Sequence, residues 1–127
     1  MDDRKLRILV IENEYLIAME AARIIRDSLG FDVVVGTMDD LAYSPGSPRY
    51  DVVVLDTAGD GLGNPGGHSN SILARGAGLV FLNAYSDMAD GVPGFEDWPV
   101  VSKPFDDETL LDAVGIALSR TGRHADL

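Results

Sequence analysis

The chain contains no cysteine, which excludes disulfide bonds, thiolate metal sites and catalysis by a thiol. Its two histidines, His68 and His124, lie in weakly structured contexts and form no metal cluster. Basic residues are scarce, because 10 lysines and arginines stand against 21 acidic residues, for a net charge of −11. This balance argues against binding to nucleic acid or anionic lipid, and it favours a basic partner surface or a divalent cation.

Long apolar runs are also missing. No stretch is long enough to cross a bilayer, and residues 1–5 lead directly into an apolar strand and do not resemble a signal peptide. We therefore expect a cytoplasmic protein that does not bind a membrane. The length of 127 residues suits a single domain over residues 1–127, with one core.

Short apolar runs alternate with stretches of helical periodicity. The apolar runs predict five buried strands, over residues 5–11, 31–36, 51–56, 78–83 and 100–102. The periodic stretches predict helices over residues 14–29, 38–44 and 68–75, and a last helix between Asp106 and a frayed tail that starts at Thr121. Residues 84–98 are predicted to be irregular, because Gly91, Pro93 and Gly94 interrupt the apolar spacing.

Two helices carry apolar faces that are expected to pack on the sheet. The first is predicted to end at the C-cap Gly30 and to bury Leu16, Ile17, Met19, Ala21, Ile24, Ile25 and Leu29. The last is predicted to start at the N-cap Asp106 and to bury Leu110, Leu111, Val114 and Leu118.

The alternation of strands and helices predicts an α/β protein with a parallel sheet and right-handed crossovers. The common small version is a doubly wound, flavodoxin-like sheet of five strands in the order 2-1-3-4-5, here with a shortened or irregular fourth helix. The carboxyl ends of such strands converge on one crevice, so Glu12, Asn13, Asp56 and Lys103 are expected to meet there. The glycine-rich segment 59–67 lacks the spacing of a nucleotide-binding loop.

Four segments resemble the receiver domain of bacterial response regulators, and together they span roughly residues 6–119. ILVIENEYLIA is similar to the family's first strand with its acidic pair, and YDVVVLD to the strand that ends in the phospho-accepting aspartate. LVFLNAYSD is similar to the fourth strand, and VVSKPFDDETLLDAV, with its Lys-Pro-Phe sequence, is the most specific piece. Tyr85 and the short fourth helix resemble single-domain receivers of alphaproteobacteria.

The resemblance implies that Asp56 accepts a phosphoryl group, that Lys103 is the counter-ion for its oxygens, and that Asn83 donates a hydrogen bond to it. Tyr85 either rotates between solvent and the pocket as a switch or stays on the rim. The implied partners are a histidine kinase or histidine phosphotransfer protein and a downstream protein. No catalysis is implied beyond the chain's own phosphorylation and dephosphorylation.

The resemblance also implies a Mg²⁺ cofactor, held by Glu12, Asn13, Asp56 and the backbone carbonyl of Ala58. Asn13 stands where the family normally has an aspartate, so the expected metal binding is weak. A cis peptide bond before Pro104 is a further feature of the family.

Three substitutions depart from the family pattern: Asn13 replaces an aspartate, Asn83 a threonine or serine, and Val100 an aromatic residue. They leave open a degenerate receiver that acts through interactions independent of phosphorylation. A flavodoxin-like binder of a small molecule or nucleotide is a third possibility.

The irregular segment 84–98 is predicted to be a mobile signalling face. Its apolar side chains would suit a partner groove, or they would simply cover the edge of the sheet. They are Tyr85, Met88, Val92, Phe95 and Trp98.

Overall fold

The computed structural model describes residues 5–37, 49–57, 67–84 and 91–121. The strands within these ranges are β1 (Arg7–Ile11), β2 (Asp32–Gly36), β3 (Val52–Asp56), β4 (Gly78–Asn83) and β5 (Val100–Ser102). The helices within them are α1 (Tyr15–Leu29), α2 (Gly67–Ala74) and α3 (Asp107–Thr121). None of these described helices is long and apolar enough to cross a membrane. The predicted helix at 38–44 lies outside the described residues.

All five strands are parallel, and their order is β2-β1-β3-β4-β5, as predicted. The pairing is in register through the centre of the sheet, where Leu9 lies opposite Val53 and Val53 opposite Leu79. β3 and β4 are buried along their whole length, which explains why their sequences are continuously apolar and do not alternate.

Two apolar layers cover the faces of the sheet. One layer joins α1 and α3 to residues such as Val10, Val54 and Leu82. The other joins α2 and the segment before β5 to residues such as Leu9, Leu55 and Phe81. Successive residues of each strand point to opposite faces, so every strand contributes to both layers.

The buried face of α1 is narrower than predicted. It consists of Ala18, Ala21, Ala22, Ile24 and Ile25. The prediction was wrong for Leu16, Met19 and Leu29, whose exposed fractions are 80%, 39% and 38%. Ala18, Ala21 and Ala22, at positions i, i+3 and i+4, let the helix approach the sheet closely. Leu16 is two residues before Ala18 and therefore lies on the opposite side of the helix.

The predicted ends of the two long helices are confirmed. Gly30 ends α1 in the left-handed conformation, with φ 70°, and its N–H donates to the carbonyl of Arg26 over 2.9 Å. Asp106 begins α3, because its Oδ1 accepts the N–H of Thr109 at 2.8 Å. The backbone hydrogen bond from Thr109 lowers the pKa of Asp106.

The described residues between β4 and β5 form turns and no helix, in agreement with the predicted irregularity. The N–H of Phe95 donates to Val92, and that of Trp98 donates to Phe95. Val92 is fully buried, and Phe95 and Trp98 pack against the core, with the Phe95 ring 6.2 Å from that of Phe81. These three side chains pack on the sheet, which is the second of the two expected alternatives, and a signalling role of this segment stays a prediction. Met88 and Tyr85 lie outside the described residues.

The amino edge of the sheet is held by Asp51, which is 1% exposed. Its Oδ2 accepts the N–H of Arg7 at 2.8 Å, and its own N–H donates to the carbonyl of Arg7 at 2.7 Å. Its carbonyl accepts the N–H of Gly78 at 2.8 Å. One residue thus connects the starts of β1, β3 and β4.

Gly78 lies where α3 approaches β4 most closely. A Cβ at this position would be 2.9 Å from the carbonyl oxygen of Ala117 and 3.2 Å from its Cβ. Gly78→Ala is therefore expected to destabilise the fold by about 1–3 kcal/mol, because backbone must move to admit the methyl group. Urea unfolding monitored by circular dichroism measures the change.

The matched control is Gly115→Ala. Gly115 is exposed within α3, and a Cβ there would meet nothing within 4 Å. Alanine is the better helix former, so this variant is expected to gain about 0.5–1 kcal/mol. Equal effects of the two substitutions would contradict the role assigned to Gly78.

Candidate functional site

The carboxyl edge of the sheet brings together side chains that are distant in sequence. Glu12 follows β1, Asp56 ends β3, and Lys103 follows β5. The Nζ of Lys103 lies 2.6 Å from Oε1 of Glu12 and 3.3 Å from Oδ1 of Asp56. The expected meeting of these three groups is therefore found, and the chemical roles assigned to them stay predictions.

The backbone around Lys103 places its side chain in the crevice. Ser102 pairs with Asn83 at the end of the sheet, and the N–H of Lys103 donates to the carbonyl of Asn83 at 2.9 Å. The peptide bond between Lys103 and Pro104 is cis, as the resemblance implied. Two residues later, Asp106 begins α3. The lysine is therefore held between a strand end and a helix start.

Glu12 is fixed from two sides. Its Oε2 accepts the N–H of Glu14 at 2.9 Å, and its other oxygen faces Lys103. The side chain of Glu12 is fully buried, and those of Asp56 and Lys103 are each 9% exposed. Charges with so little access to water interact more strongly than surface ion pairs do.

The electrostatics of the crevice centre on Lys103. Burial alone would lower the pKa of its ammonium, but the hydrogen bond to Glu12 and the negative charges of Asp56 and Glu12 outweigh burial and leave that pKa raised. The lysine is therefore a permanent cation at neutral pH. It faces the two carboxyl groups of Glu12 and Asp56.

A hydrogen bond that the sequence analysis missed lies beside these charges. The hydroxyl of Thr57 donates to Oδ1 of Asn83 at 3.0 Å, and both residues are buried. The strand register contains the signal that could have found it. Asp56 lies opposite Leu82, so the next pair along the two strands is Thr57 and Asn83.

The remaining predicted site residues are less well placed. Asn13 is described and its side chain is exposed, while Ala58 and Tyr85 lie outside the described residues. Within the described ranges, no three acidic, histidine or cysteine side chains are grouped to hold a metal ion. The donors in the crevice are two carboxylates, which are the hard oxygen ligands that Mg²⁺ takes, and Asn13 can add a neutral amide oxygen. The chemical type of these donors fits Mg²⁺, and they supply less negative charge than three acidic side chains would.

An apolar groove of about 470 Å³ opens next to Lys103. It runs between the first turns of α1 and the segment that follows β5. The groove is lined by Glu14, Leu16, Ile17, Glu20, Ala84, Lys103, Pro104 and Phe105. The exposed Leu16 of α1, which does not join the core, thus lies beside the crevice.

No protein-family model matches the chain, and no curated protein matches it. Solved structures do resemble it. A response regulator CheY-like protein from Mesorhizobium loti matches with a TM-score of 0.65 and 22% identity, over 90% of this chain and 99% of its own. SdrG from Sphingomonas melonis Fr1 matches with a TM-score of 0.62 and 26% identity, over 93% and 99%. A response regulator receiver domain protein from Clostridium thermocellum matches with a TM-score of 0.71 and 18% identity, over 92% of this chain and 97% of its own.

The chain has the response-regulator receiver fold. The likeness spans nearly the full length of each neighbour, and it includes the sheet order that the sequence predicted. In this receiver fold, the crevice with Asp56, Glu12 and Lys103 lies at the carboxyl edge of the strands, where sites of doubly wound sheets are built.

Proposed function

We propose that the chain is a response-regulator receiver that accepts a phosphoryl group on Asp56 and signals through contacts with other proteins. The donor is a histidine kinase or a histidine phosphotransfer protein. The observation that carries this proposal is the position of the Lys103 ammonium, within 3.3 Å of Asp56 and 2.6 Å of Glu12. A cation held beside a strand-end carboxylate is what the addition of a phosphoryl group to that carboxylate requires.

In the proposed reaction, a carboxylate oxygen of Asp56 attacks the phosphorus of a phosphohistidine. An oxygen–phosphorus bond forms, the phosphorus–nitrogen bond breaks, and its electron pair stays on the imidazole nitrogen. Such transfer depends mainly on positioning and on neutralisation of charge. Lys103 supplies a fixed positive charge at the oxygens of the phosphoryl group.

Glu12 orients this cation. Its carboxylate is anchored by the N–H of Glu14, so it draws the Lys103 ammonium to one place in the crevice. Mg²⁺, when bound by Glu12, Asp56, Asn13 and the carbonyl of Ala58, would supply further positive charge for the phosphoryl oxygens. The neutral Asn13 weakens that binding relative to an aspartate, by about 1 kcal/mol or more.

The apolar groove next to Lys103 is the proposed docking surface for the donor. A protein that delivers a phosphohistidine to Asp56 must cover the rim of the crevice, and Leu16 on that rim is 80% exposed. The acidic side chains of Glu14 and Glu20 flank the groove. An amphipathic helix with an apolar stripe and basic flanks would match both features.

A degenerate receiver remains the second candidate, and one observation favours it. Asn83 stands where the family has a hydroxyl residue, and its longer side chain, which is hydrogen-bonded to Thr57, would meet a phosphoryl group at a different position. In this alternative the crevice takes no phosphoryl group, and the chain acts through constant contacts with its partner.

Intact-mass analysis after incubation with acetyl phosphate and Mg²⁺ separates the two candidates. The wild-type chain is expected to gain one phosphoryl group, and Asp56→Asn is expected to gain none, because asparagine lacks the nucleophilic carboxylate. Asp112→Asn, which removes an exposed carboxylate of α3, is the matched control and is expected to be phosphorylated like the wild type. Equal uptake by wild type and Asp56→Asn would exclude Asp56 as the acceptor, and no uptake by the wild type would favour the degenerate receiver.

A further inference from the structure

The outer side of β2 is an open edge of the sheet. Within the described residues β2 pairs with β1, and no strand lies on its other side. The N–H of Asp32 donates to the carbonyl of Leu6 over 3.0 Å, so the backbone groups of Asp32 face β1. Successive residues of a parallel strand direct their N–H and carbonyl groups to opposite sides. Val33 and Val35 therefore present two N–H and two carbonyl groups to the outside of the sheet.

Arg26 agrees with this direction, because its side chain reaches the strand from outside. Its Nη2 lies 3.5 Å from the carbonyl oxygen of Val33, at the long limit of a hydrogen bond. Among the described residues, no other hydrogen bond reaches the outward groups of Val33 and Val35. The edge is therefore covered by one weak contact from an exposed side chain. An edge of this kind is a template for pairing with a further strand.

An apolar strip of α1 runs beside this open edge. The residues of the strip occupy positions i, i+4, i+11 and i+14, within about 80° around the helix, and are Tyr15, Met19, Arg26 and Leu29. The contact of Arg26 with Val33 shows that this side of α1 faces β2. Together with Val35, the strip contains four of the six large hydrophobic residues that are exposed in the described part of the chain. Exposed apolar surface is thus concentrated where hydrogen-bonding groups are also open.

We propose that two copies of this chain form a dimer by antiparallel pairing of β2 with β2, around a two-fold axis at Val34. Val33 of each copy then lies opposite Val35 of the other, and each such pair exchanges two hydrogen bonds. Arg26 releases the carbonyl of Val33 to this partner. Asp32 lies opposite Gly36, so the one charged residue of the strand does not meet its own copy.

A second copy fits this surface better than an isolated strand from another protein. An added strand would satisfy the open backbone groups and leave Tyr15, Met19 and Leu29 uncovered. A copy brings its own α1 to the same face of the joined sheet, because the two-fold axis is perpendicular to that sheet. The two helices then run antiparallel, and the start of one, with Tyr15, approaches the end of the other, with Leu29.

The dimer leaves the crevice accessible. The groove next to Lys103 is lined by Leu16, Ile17 and Glu20, which lie on a different side of α1 from the apolar strip. The proposal does not depend on phosphorylation of Asp56, so it stands or falls separately from the proposed function.

Sedimentation equilibrium of the full chain over a range of concentrations tests the dimer. The wild type is expected to approach twice the mass of one chain as its concentration rises. Val35→Lys is expected to weaken dimerisation about tenfold or more, because a charge on an edge strand opposes pairing. The matched control is Ile116→Lys, which adds the same charge at a residue that is 45% exposed on α3, beside β4, and is expected to dimerise like the wild type.

Amide exchange measured by NMR at low and high protein concentration locates the contact. The N–H groups of Val33 and Val35 are expected to exchange quickly in dilute solution. They are expected to exchange about tenfold or more slowly where the dimer forms, because they then donate across the two-fold axis. The N–H of Val34 faces β1 and is the internal control, expected to be protected at both concentrations.

Each other outcome overturns the proposal. A wild-type chain that stays monomeric excludes the dimer, and equal dimerisation of Val35→Lys and Ile116→Lys places the contact on another surface. Protection of Val33 and Val35 in the dilute monomer would show that residues of the same chain cover the edge. Circular dichroism checks that Val35→Lys is folded, and the exchange pattern of the wild type decides the location of the contact even if that variant is not.

Discussion

Lys103→Met is expected to lower the free energy of unfolding at neutral pH by about 3 kcal/mol or more and to slow phosphorylation about 100-fold. The first effect arises because Glu12 and Asp56, almost buried, would face each other without the cation that both now contact. The second arises because the phosphoryl oxygens would lose a fixed positive charge. Urea unfolding and intact-mass kinetics with acetyl phosphate measure the two effects.

The dependence on pH gives this prediction a second signature. The pKa of Lys103 is raised in the folded protein above its ordinary value of 10.5. The stability that its ion pairs contribute is therefore fully present below pH 10.5, and it is lost as the pH rises through the pKa that Lys103 has in the folded protein. The alkaline loss is expected in the wild type and not in Lys103→Met. A variant that unfolds like the wild type across this range would contradict the role of the ammonium.

A double variant separates the effect of Lys103 on stability from its effect on phosphorylation. Adding Glu12→Gln to Lys103→Met removes one of the two facing carboxylates and retains an oxygen that can accept the N–H of Glu14. Stability is expected to recover, because the repulsion is gone. Phosphorylation is expected to stay slow, because the cation is still missing and one proposed Mg²⁺ ligand is removed as well. Recovery of both would mean that Lys103 serves the fold alone.

The second prediction with a large effect compares the loss of stability when Ile24 or Leu16, two side chains of equal size on α1, is truncated. Ile24→Ala in α1 is expected to cost about 2–5 kcal/mol, because Ile24 is 1% exposed and its loss leaves a cavity. Leu16→Ala removes a similar amount of apolar side chain and is expected to change the free energy of unfolding by less than about 0.5 kcal/mol, because Leu16 is 80% exposed.

Chemical denaturation of both variants under the same conditions measures the difference. Circular dichroism of the folded proteins serves as a control for helix content, because alanine is a good helix former at either position. If the two substitutions cost the same, Leu16 is part of the core and the groove beside Lys103 is not an open surface.

The sheet and its order could be predicted from the sequence because buried parallel strands leave a simple pattern. The runs at 51–56 and 78–83 are apolar on both faces, and the structure has strands there at Val52–Asp56 and Gly78–Asn83. The approach of Lys103 to Asp56 follows from the same topology, because Asp56 ends β3, Lys103 follows β5, and both strands end at the same edge of the sheet.

The helix faces were harder to predict because apolar residues surround much of α1. A pattern of hydrophobic residues does not show which of two faces packs on the sheet. Here the small Ala18 and Ala22 set the close approach, and the larger Leu16 is left outside. Similarly, the bond between Thr57 and Asn83 depends on pairing between separate strands, which no local pattern contains.

The hydrogen bonds of Asp51 at the amino edge of the sheet bear on which residues of this protein can be substituted. Because one residue aligns the starts of β1, β3 and β4, the strands reach the opposite end of the sheet in a fixed order and spacing. Exchange of an exposed residue at that opposite end, such as Asn13, leaves these hydrogen bonds of Asp51 in place. The chemistry proposed for Asn13 and Asn83 can therefore vary while the scaffold that presents the crevice is secured about one strand length away.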